Sequence, residues 1–423
     1  MAERAQCPGS GSPDFYLHGG ELHCEQVPVR ELVERFGSPL YIYSAATIRE
    51  RAKRVRVAFG DTARICYAVK ANPNLSVLRL LHEAGCGFDL VSGGELERLA
   101  VACLPTDQAV FAGVGKQRWE IEAAVAAGLL FFNVESPYEL PLLAAAGEAA
   151  GKPVAVALRL NPNVEANTHA YISTGKDENK FGVAIDRAAA VVDEIVANPW
   201  LSLVGYHVHL GSQLRAVGPY VQAFERVAAF VDGDAKRSDG VRYYDLGGGF
   251  GISYGEGDPL DVAAVAAALL PRLQERGWIP VVEPGRFIVG DAGILVTSVL
   301  GEKLQGRAKF LLVDAAMNDL MRPALYQAEH PIVPVLLRPD AEMRTVDVVG
   351  PVCETGDFLG RARSLPRCQR GDLLAVLATG AYGASMASNY NSRCRPAEVL
   401  VDGEQARLVC RRESFAQLLQ REI

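Results

Sequence analysis

The sequence predicts an α/β protein, a (β/α)8 TIM-like barrel followed by a mainly β C-terminal domain. Three observations point there. At 423 residues the chain exceeds one ordinary domain. From residue 64 to residue 283, short β-branched or aromatic runs alternate with Ala/Leu/Glu-rich segments, which is the rhythm of strand-then-helix units. After residue 290 that rhythm stops, and β-like runs parted by Gly, Pro and Asp turns take over.

The opening "MAERAQCPGSGS" has small, polar and breaker residues without a period, so residues 1–14 read as a loose tail. "FYLHGGELHCEQVPV" reads as a hairpin, and residues 15–37 are expected to join the β domain. The barrel is expected over 38–287, with its strands at 64–69, 88–91, 109–112, 129–134, 154–160, 203–209, 242–246 and 279–283. Between them lie helical segments such as "NLSVLRLLHEAG" and "GKQRWEIEAAVAAG", closed by Gly as helix ends often are. An open doubly wound sheet is the other arrangement of the same units. Residues 288–423, with "GILVTSVLGE", "KFLLVDA", "RTVDVVGP" and "DLLAVL", make up the β domain.

Composition narrows the function. Apolar residues make up 49% and charged ones 22%, which fits a folded enzyme and not a disordered chain. A net charge of −7 offers no basic excess for nucleic acid, so a small-molecule partner is expected. The longest apolar stretches, such as "VAAVAAALL", are too short to cross a bilayer, so no membrane partner is expected. Nine cysteines without a C-x-x-C pair, and a start without secretory features, suggest a reduced cytoplasmic setting.

In a barrel, chemistry sits where strands end, and the unusual residues fall there. Strand one runs into Lys70, strand two into "SGGE", strand five contains Arg159, strand six carries His207 and His209 before "GSQ", strand seven leads into "DLGGGFG", and strand eight into "EPGR". Gly247, Gly248 and Gly249 allow close backbone approach to an anion, and the loops after strands seven and eight are frequent phosphate sites. His207 and His209, two apart on a strand, share a face, so an H-x-H metal centre of a barrel hydrolase is a rival reading. With only seven histidines the further ligands are scarce, and no metal is expected. Glu283, leaving a buried strand, calls for a positive charge in a ligand. A phosphate, a ring for His209, a protonated nitrogen for Glu283 and a carbonyl for Lys70 together describe pyridoxal 5′-phosphate.

The motifs "YAVKAN", "HLGSQ", "DLGGGFG", "EPGR" and "GPVCETGD", in this order, resemble the fold-type III pyridoxal-phosphate decarboxylases, whose fold is also that of alanine racemase. The stretches "THAYISTGKDENKFG", "MRPALYQAEH" and "GAYGASMASNYNS" are most similar to the diaminopimelate decarboxylases, over about residues 15 to 410. The resemblance implies that Lys70 carries the cofactor and His209 stacks on its ring. It further implies that Glu283 pairs with the pyridine nitrogen and that Ser212, Gly247, Gly248, Gly249, Gly285, Arg286 and Tyr382 serve the phosphate end. Cys353 is then the general acid, and Arg286, Arg322, Tyr326, Glu354 and Tyr382 contact the substrate. The implied reaction is decarboxylation of meso-2,6-diaminopimelate to L-lysine and CO2, the last step of lysine biosynthesis, in a homodimer whose active sites lie at the interface.

Read alone, Cys353 is one of nine cysteines and a packed thiol, while Arg322 and Tyr326 are a surface charge and a loop aromatic. His169, in a polar loop after strand five, reads equally as solvated or as part of a lid. Departures from the family pattern are Val208 between the histidines and Cys394 where proline is usual; neither is a catalytic position. A decarboxylase of a carrier-bound glutamyl group and a noncatalytic cofactor-binding regulator are the alternative functions. The regulators of that kind lack the β domain and the Cys353–Glu354 segment.

Overall fold

The computed structural model describes residues 4–164, 180–255 and 257–423. The chain forms two compact units, Arg51–Gly251 with Pro259–Gly285, and Met1–Glu50 with Ile252–Asp258 and Arg286–Ile423.

In the first unit eight parallel strands close on themselves: Arg64–Ala68, Gly87–Leu90, Ala109–Phe111, Phe131–Val134, Val154–Asn161, Leu201–His207, Tyr243–Asp245 and Ile279–Val282. Closure is shown by two pairings, Val156–Leu158 on Phe132–Val134 and Val281–Val282 on Arg64–Ile65. The open-sheet alternative is thereby set aside. Helices follow the strands because the connecting turns cap them. Asn74 accepts the Ser76 N–H at the start of Leu75–Glu83, whose Val77, Leu78, Leu80 and Leu81 are buried, and Ser92 accepts the Glu95 N–H at the start of Gly93–Val101.

Period-two geometry sorts the inward residues into layers. Cys66, Val110, Phe131, Ala157, Val204, Tyr243 and Val281 pack together as an apolar layer. Two residues further along their strands, on the same face, come Asn133, Arg159, Asp245 and Glu283. A polar layer therefore lies directly over an apolar one, toward the C-terminal strand ends. Within the barrel interior this upper level is where charge is buried, at an energetic cost that partners must offset.

The second unit holds a sheet in which Phe358–Pro366, Met343–Val349, Ala308–Val313, Gly293–Gln305, Leu40–Ser44, Ala397–Asp402 and Gln405–Cys410 are neighbours in that order. Leu373–Val376 also pairs with Gly293–Gln305. Leu40–Ser44 lies within the stretch 38–287 read above as barrel, yet it pairs with Gly293–Val296 and with Ala397–Val401; all five of its residues are buried. The opening segment differs from a loose tail as well. Arg4–Gln6 pairs antiparallel with Phe15–His18, and Cys7 is buried in the same core as Leu22, Leu32, Ile42 and Val399. The hairpin offers a free edge that the tail completes, a long-range pairing that local composition does not signal.

Candidate active site

Lys70 sits in a single turn of 3-10 helix, Val69–Ala71, just beyond the first barrel strand. Its Nζ lies 2.5 Å from Oδ2 of Asp89 on strand two, a carboxylate with no solvent exposure. Burial, then the charge of Glu283, push the Asp89 carboxyl up to about 7 against the pull of Lys70. Across the layer, Asn133 Nδ2 donates to Glu283 Oε1 at 3.2 Å and to Asp245 Oδ2 at 3.4 Å. Burial opposes ionisation of Glu283, but His207 and Lys70 outweigh it and hold this carboxyl below the usual range. Burial and the neighbouring Glu283 push Asp245 the other way, well above it. Arg159 NH1 meets both oxygens of Glu135 at 2.8 Å, and Glu135 also accepts the Gly113 and Gly182 N–H groups.

His209 follows strand six, with about a fifth of its side chain exposed. Burial of the ring and the Arg159 charge push it down to about 3, so it is neutral. Its Nδ1 accepts the Gly248 N–H at 3.2 Å, which leaves the proton on Nε2. His207 is buried, with Nε2 3.4 Å from Glu283 Oε2, too long and poorly aimed for a strong hydrogen bond. His207, His209 and Glu283 offer ligand atoms within 4.8 Å of one another, as the H-x-H reading requires, but Nδ1 of His209 is engaged by Gly248. The glycine run packs against the neighbouring strand ends. A Cβ on Gly248 would stand 2.2 Å from the Glu283 carbonyl oxygen, and Gly247 adopts φ +67. Ser212 is half-buried in the preceding turn, and a Cβ on Gly285 would stand 3.0 Å from those of Ala68 and Ala71.

The second unit carries its own cluster. Arg286 NH1 donates to Tyr254 Oη at 2.5 Å, and its guanidinium lies 4.9 Å from the ring centroid of Tyr382. Tyr382 has φ +57, a backbone state that non-glycine residues adopt at some cost and that clusters at ligand sites. Arg322 is buried over the Tyr254 ring at 4.8 Å, and its NH1 is 2.8 Å from Nε2 of His330. His330 Nδ1 is 2.9 Å from the Leu377 carbonyl, so the ring donates there and accepts from Arg322. Burial, with Arg322 next to it, keeps His330 neutral. Tyr326 ends the short helix Arg322–Tyr326, half-buried. Cys353 and Glu354 lie on an exposed turn, where the Cys353 N–H donates to Asn391 Oδ1 at 2.7 Å and Glu354 Oε1 accepts the Thr355 N–H at 2.8 Å.

Residues 45–290 match the family model described as the pyridoxal binding domain of pyridoxal-dependent decarboxylases. Diaminopimelate decarboxylase of Neisseria meningitidis serogroup A is 46% identical over 403 residues, 95% of this chain and 99% of that protein. The chain belongs to the diaminopimelate decarboxylase family. Among solved structures, the Helicobacter pylori diaminopimelate decarboxylase complexed with L-lysine superimposes with a TM-score of 0.88 at 39% identity, covering 92% of this chain and 98% of that one. The diaminopimelate decarboxylase from M. jannaschii in co-complex with L-lysine gives a TM-score of 0.90 at 34% identity, over 99% of each chain.

The barrel residues suit the cofactor of this family on structural grounds. Glu283 is a buried anion, Lys70 an amine at the same level, and His209 a neutral ring. The glycine run is a cradle that any side chain would obstruct. The structure brings Lys70, His209, the glycines and Glu283 to one end of the barrel, and Arg286, Arg322 and Tyr382 together in the second unit. Cys353 and Glu354 lie on their own exposed turn, with hydrogen bonds to Asn391 and Thr355. Cys353 is exposed, which overturns its reading as a packed thiol, and buried Arg322 is no surface charge. His169 lies outside the described residues. Sequence reading assigned no role to Asp89, Asn133, Asp245, Glu135, Tyr254 or His330. The first three carry a signal that was available: polar residues inside apolar strand runs, two positions beyond an inward apolar residue or opposite one.

Proposed function

We propose that the protein decarboxylates meso-2,6-diaminopimelate to L-lysine and CO2 with pyridoxal 5′-phosphate, a carboxy-lyase reaction that ends lysine biosynthesis. The observation that carries this reading is that Lys70, partly exposed, and a buried, anionic Glu283 stand at the same barrel end, in a chain 46% identical to a diaminopimelate decarboxylase. When bound, the cofactor supplies a conjugated pyridinium that takes up the electron pair left by departing CO2.

The chain's own groups have separable tasks. Lys70 presents its amine to the cofactor carbonyl, with Asp89 holding that amine in place. Glu283 keeps a proton on the ring nitrogen because its own carboxyl stays ionised. Neutral His209 lies against the ring without competing for that proton. The loop Gly247–Gly249, with Ser212, Gly285, Arg286 and Tyr382, holds the phosphate through N–H, hydroxyl and guanidinium groups. The non-reacting end of the substrate bears an ammonium and a carboxylate, and Glu354 with Arg286 and Arg322 match both, with Tyr326 beside them. Cys353 gives its thiol proton to the α-carbon after CO2 has left, and solvent restores it.

We further propose a cytoplasmic homodimer in which each Cys353–Glu354 turn serves the partner's site. In support, both residues are exposed in the single chain, Cys353 is a free thiol, and no helix among the described residues is long and apolar enough to cross a membrane. The domain reading that goes with it is a cofactor-binding barrel within 38–287 and a β domain over 288–423. CO2 release with meso-diaminopimelate, beside L,L-diaminopimelate, lysine, ornithine and arginine, tests the substrate. Turnover of the meso isomer alone is expected; cofactor binding without turnover of any of them would move the function to a carrier-bound substrate or a regulator. Mixing inactive Lys70→Ala and Cys353→Ala chains tests the assembly, since only a shared site regains activity.

A further inference from the structure

Glu283 and Asp245 face each other at the ends of adjacent barrel strands with 4% and 0% of their surface exposed. One amide, Asn133 Nδ2, reaches both. The oxygen of that amide, Oδ1, is buried without a hydrogen-bond partner, so the two carboxyls are the hydrogen-bond partners of the side chain. Two adjacent charges in so dry a place repel strongly, and the pair keeps one proton. Geometry decides which member keeps it. Glu283 has the Lys70 ammonium acting on it and His207 Nε2 at 3.4 Å from its Oε2, whereas Asp245 Oδ1 has the Gly247 N–H at 2.9 Å. Asp89 and Cys66, the remaining titratable groups facing the pair, add no positive charge to Asp245.

We infer that Asn133 and Asp245 are positioning residues for Glu283: amide and neutral carboxyl clamp it from two sides, hold the pair's single negative charge on it, and tie it through Gly247 to the glycine loop. A neutral Asp245 donates its proton's hydrogen bond to Glu283, so the carboxylate is braced without being neutralised. The ionised carboxylate then remains available to a protonated ring nitrogen while its orientation is locked to the loop cradling the other end of the same ligand. This inference rests on the reading of Glu283 as the partner of that nitrogen.

The test compares Asp245→Asn, Asp245→Ala, Asn133→Ala and Glu283→Ala as cofactor-loaded enzymes. It measures cofactor affinity, the pH midpoint of the cofactor's visible band, and kcat and KM separately. Asn is neutral, keeps an oxygen for Gly247 and can donate to Glu283, so Asp245→Asn should stay within about threefold of wild type in affinity. Asp245→Ala should weaken cofactor binding at least about tenfold, move the pH midpoint by about one unit, and lower kcat more than it raises KM. Asn133→Ala should shift both cofactor readouts in the same direction, which keeps the test decisive if Asp245→Ala does not fold. Asp245→Asn as damaging as Asp245→Ala would show that Asp245 works as a charge and overturn the inference. Wild-type affinity and midpoint in both alanine variants of the brace, with Glu283→Ala impaired, would overturn the brace alone. An unimpaired Glu283→Ala would overturn the reading of Glu283 and the inference with it.

Discussion

Gly248 donates its amide hydrogen to Nδ1 of His209 at 3.2 Å, and this bond selects the tautomer of a ring that burial and the Arg159 charge keep neutral. The same glycine has no room for a side chain, because a Cβ would stand 2.2 Å from the backbone oxygen of Glu283. Gly248→Ala should therefore push the loop off the strand end, costing about 1–3 kcal/mol of stability. Cofactor affinity should fall at least about tenfold, since the donor to His209 and the cradle move together. Titration of the purified variant with pyridoxal phosphate checks this; wild-type affinity would show that the loop does not hold the phosphate.

Asp89 gives a pH-dependent expectation. Its carboxyl is pushed from an ordinary 3.8 up to about 7, so the folded protein keeps the proton longer than the unfolded chain does. Below about pH 4 both states are protonated and the group has no effect. Between about pH 4 and 7 the unfolded chain ionises first, and stability drains away as pH rises. Asp89→Asn lacks this loss. In the cofactor-free proteins the melting temperature of the variant, relative to wild type, should climb across that window and level off above it. A constant difference from pH 4 to 8 would remove the assignment.

Lys70→Ala should abolish the visible absorbance of the lysine-bound cofactor, while phosphate contacts still retain some of it. Absorbance after gel filtration in the presence of excess pyridoxal phosphate decides the matter. A spectrum unchanged from wild type would mean that another amine carries the cofactor, despite the position of Lys70 beside Asp89.

How far the sequence reveals the site depends on the kind of signal each residue leaves. All eight barrel strands are legible because the buried runs "RICYAV", "VAVALRL" and "LVGYHVH" contrast with the Ala-rich helices between them. Lys70 and Glu283 stand out since a charge ending an apolar run has an evident cost. Asp89 and Asn133 have the same cost but sit inside "FDLV" and "LLFFNV", where recognising them requires knowing which face points inward. Leu40–Ser44 is legible as a strand and not as a partner of Gly293–Val296, because pairing at such separation is set by the whole fold. Tyr254 and His330 are recognisable only once the chain has brought them to Arg286 and Arg322.

Substrate selectivity is best probed at Glu354. Arg322 is the less clean choice, because its NH1 serves His330 Nε2 in a buried cluster, and Arg322→Met would strip a buried acceptor of its donor at a cost of about 1–3 kcal/mol in stability. Glu354 is exposed and its side chain accepts only the N–H of the next residue, so Glu354→Gln should leave folding unchanged. If its carboxylate meets the distal ammonium of the substrate in a desolvated site, losing that charge costs about 2–5 kcal/mol. At about 1.4 kcal/mol per tenfold, kcat/KM for meso-diaminopimelate should drop at least about tenfold, with the cofactor's visible band unaltered. Lysine, which has the ammonium without the distal carboxylate, should also bind the variant more weakly as a product inhibitor. Undiminished kcat/KM together with unchanged lysine inhibition would take Glu354 out of the substrate site and leave recognition of the distal end to the arginines alone.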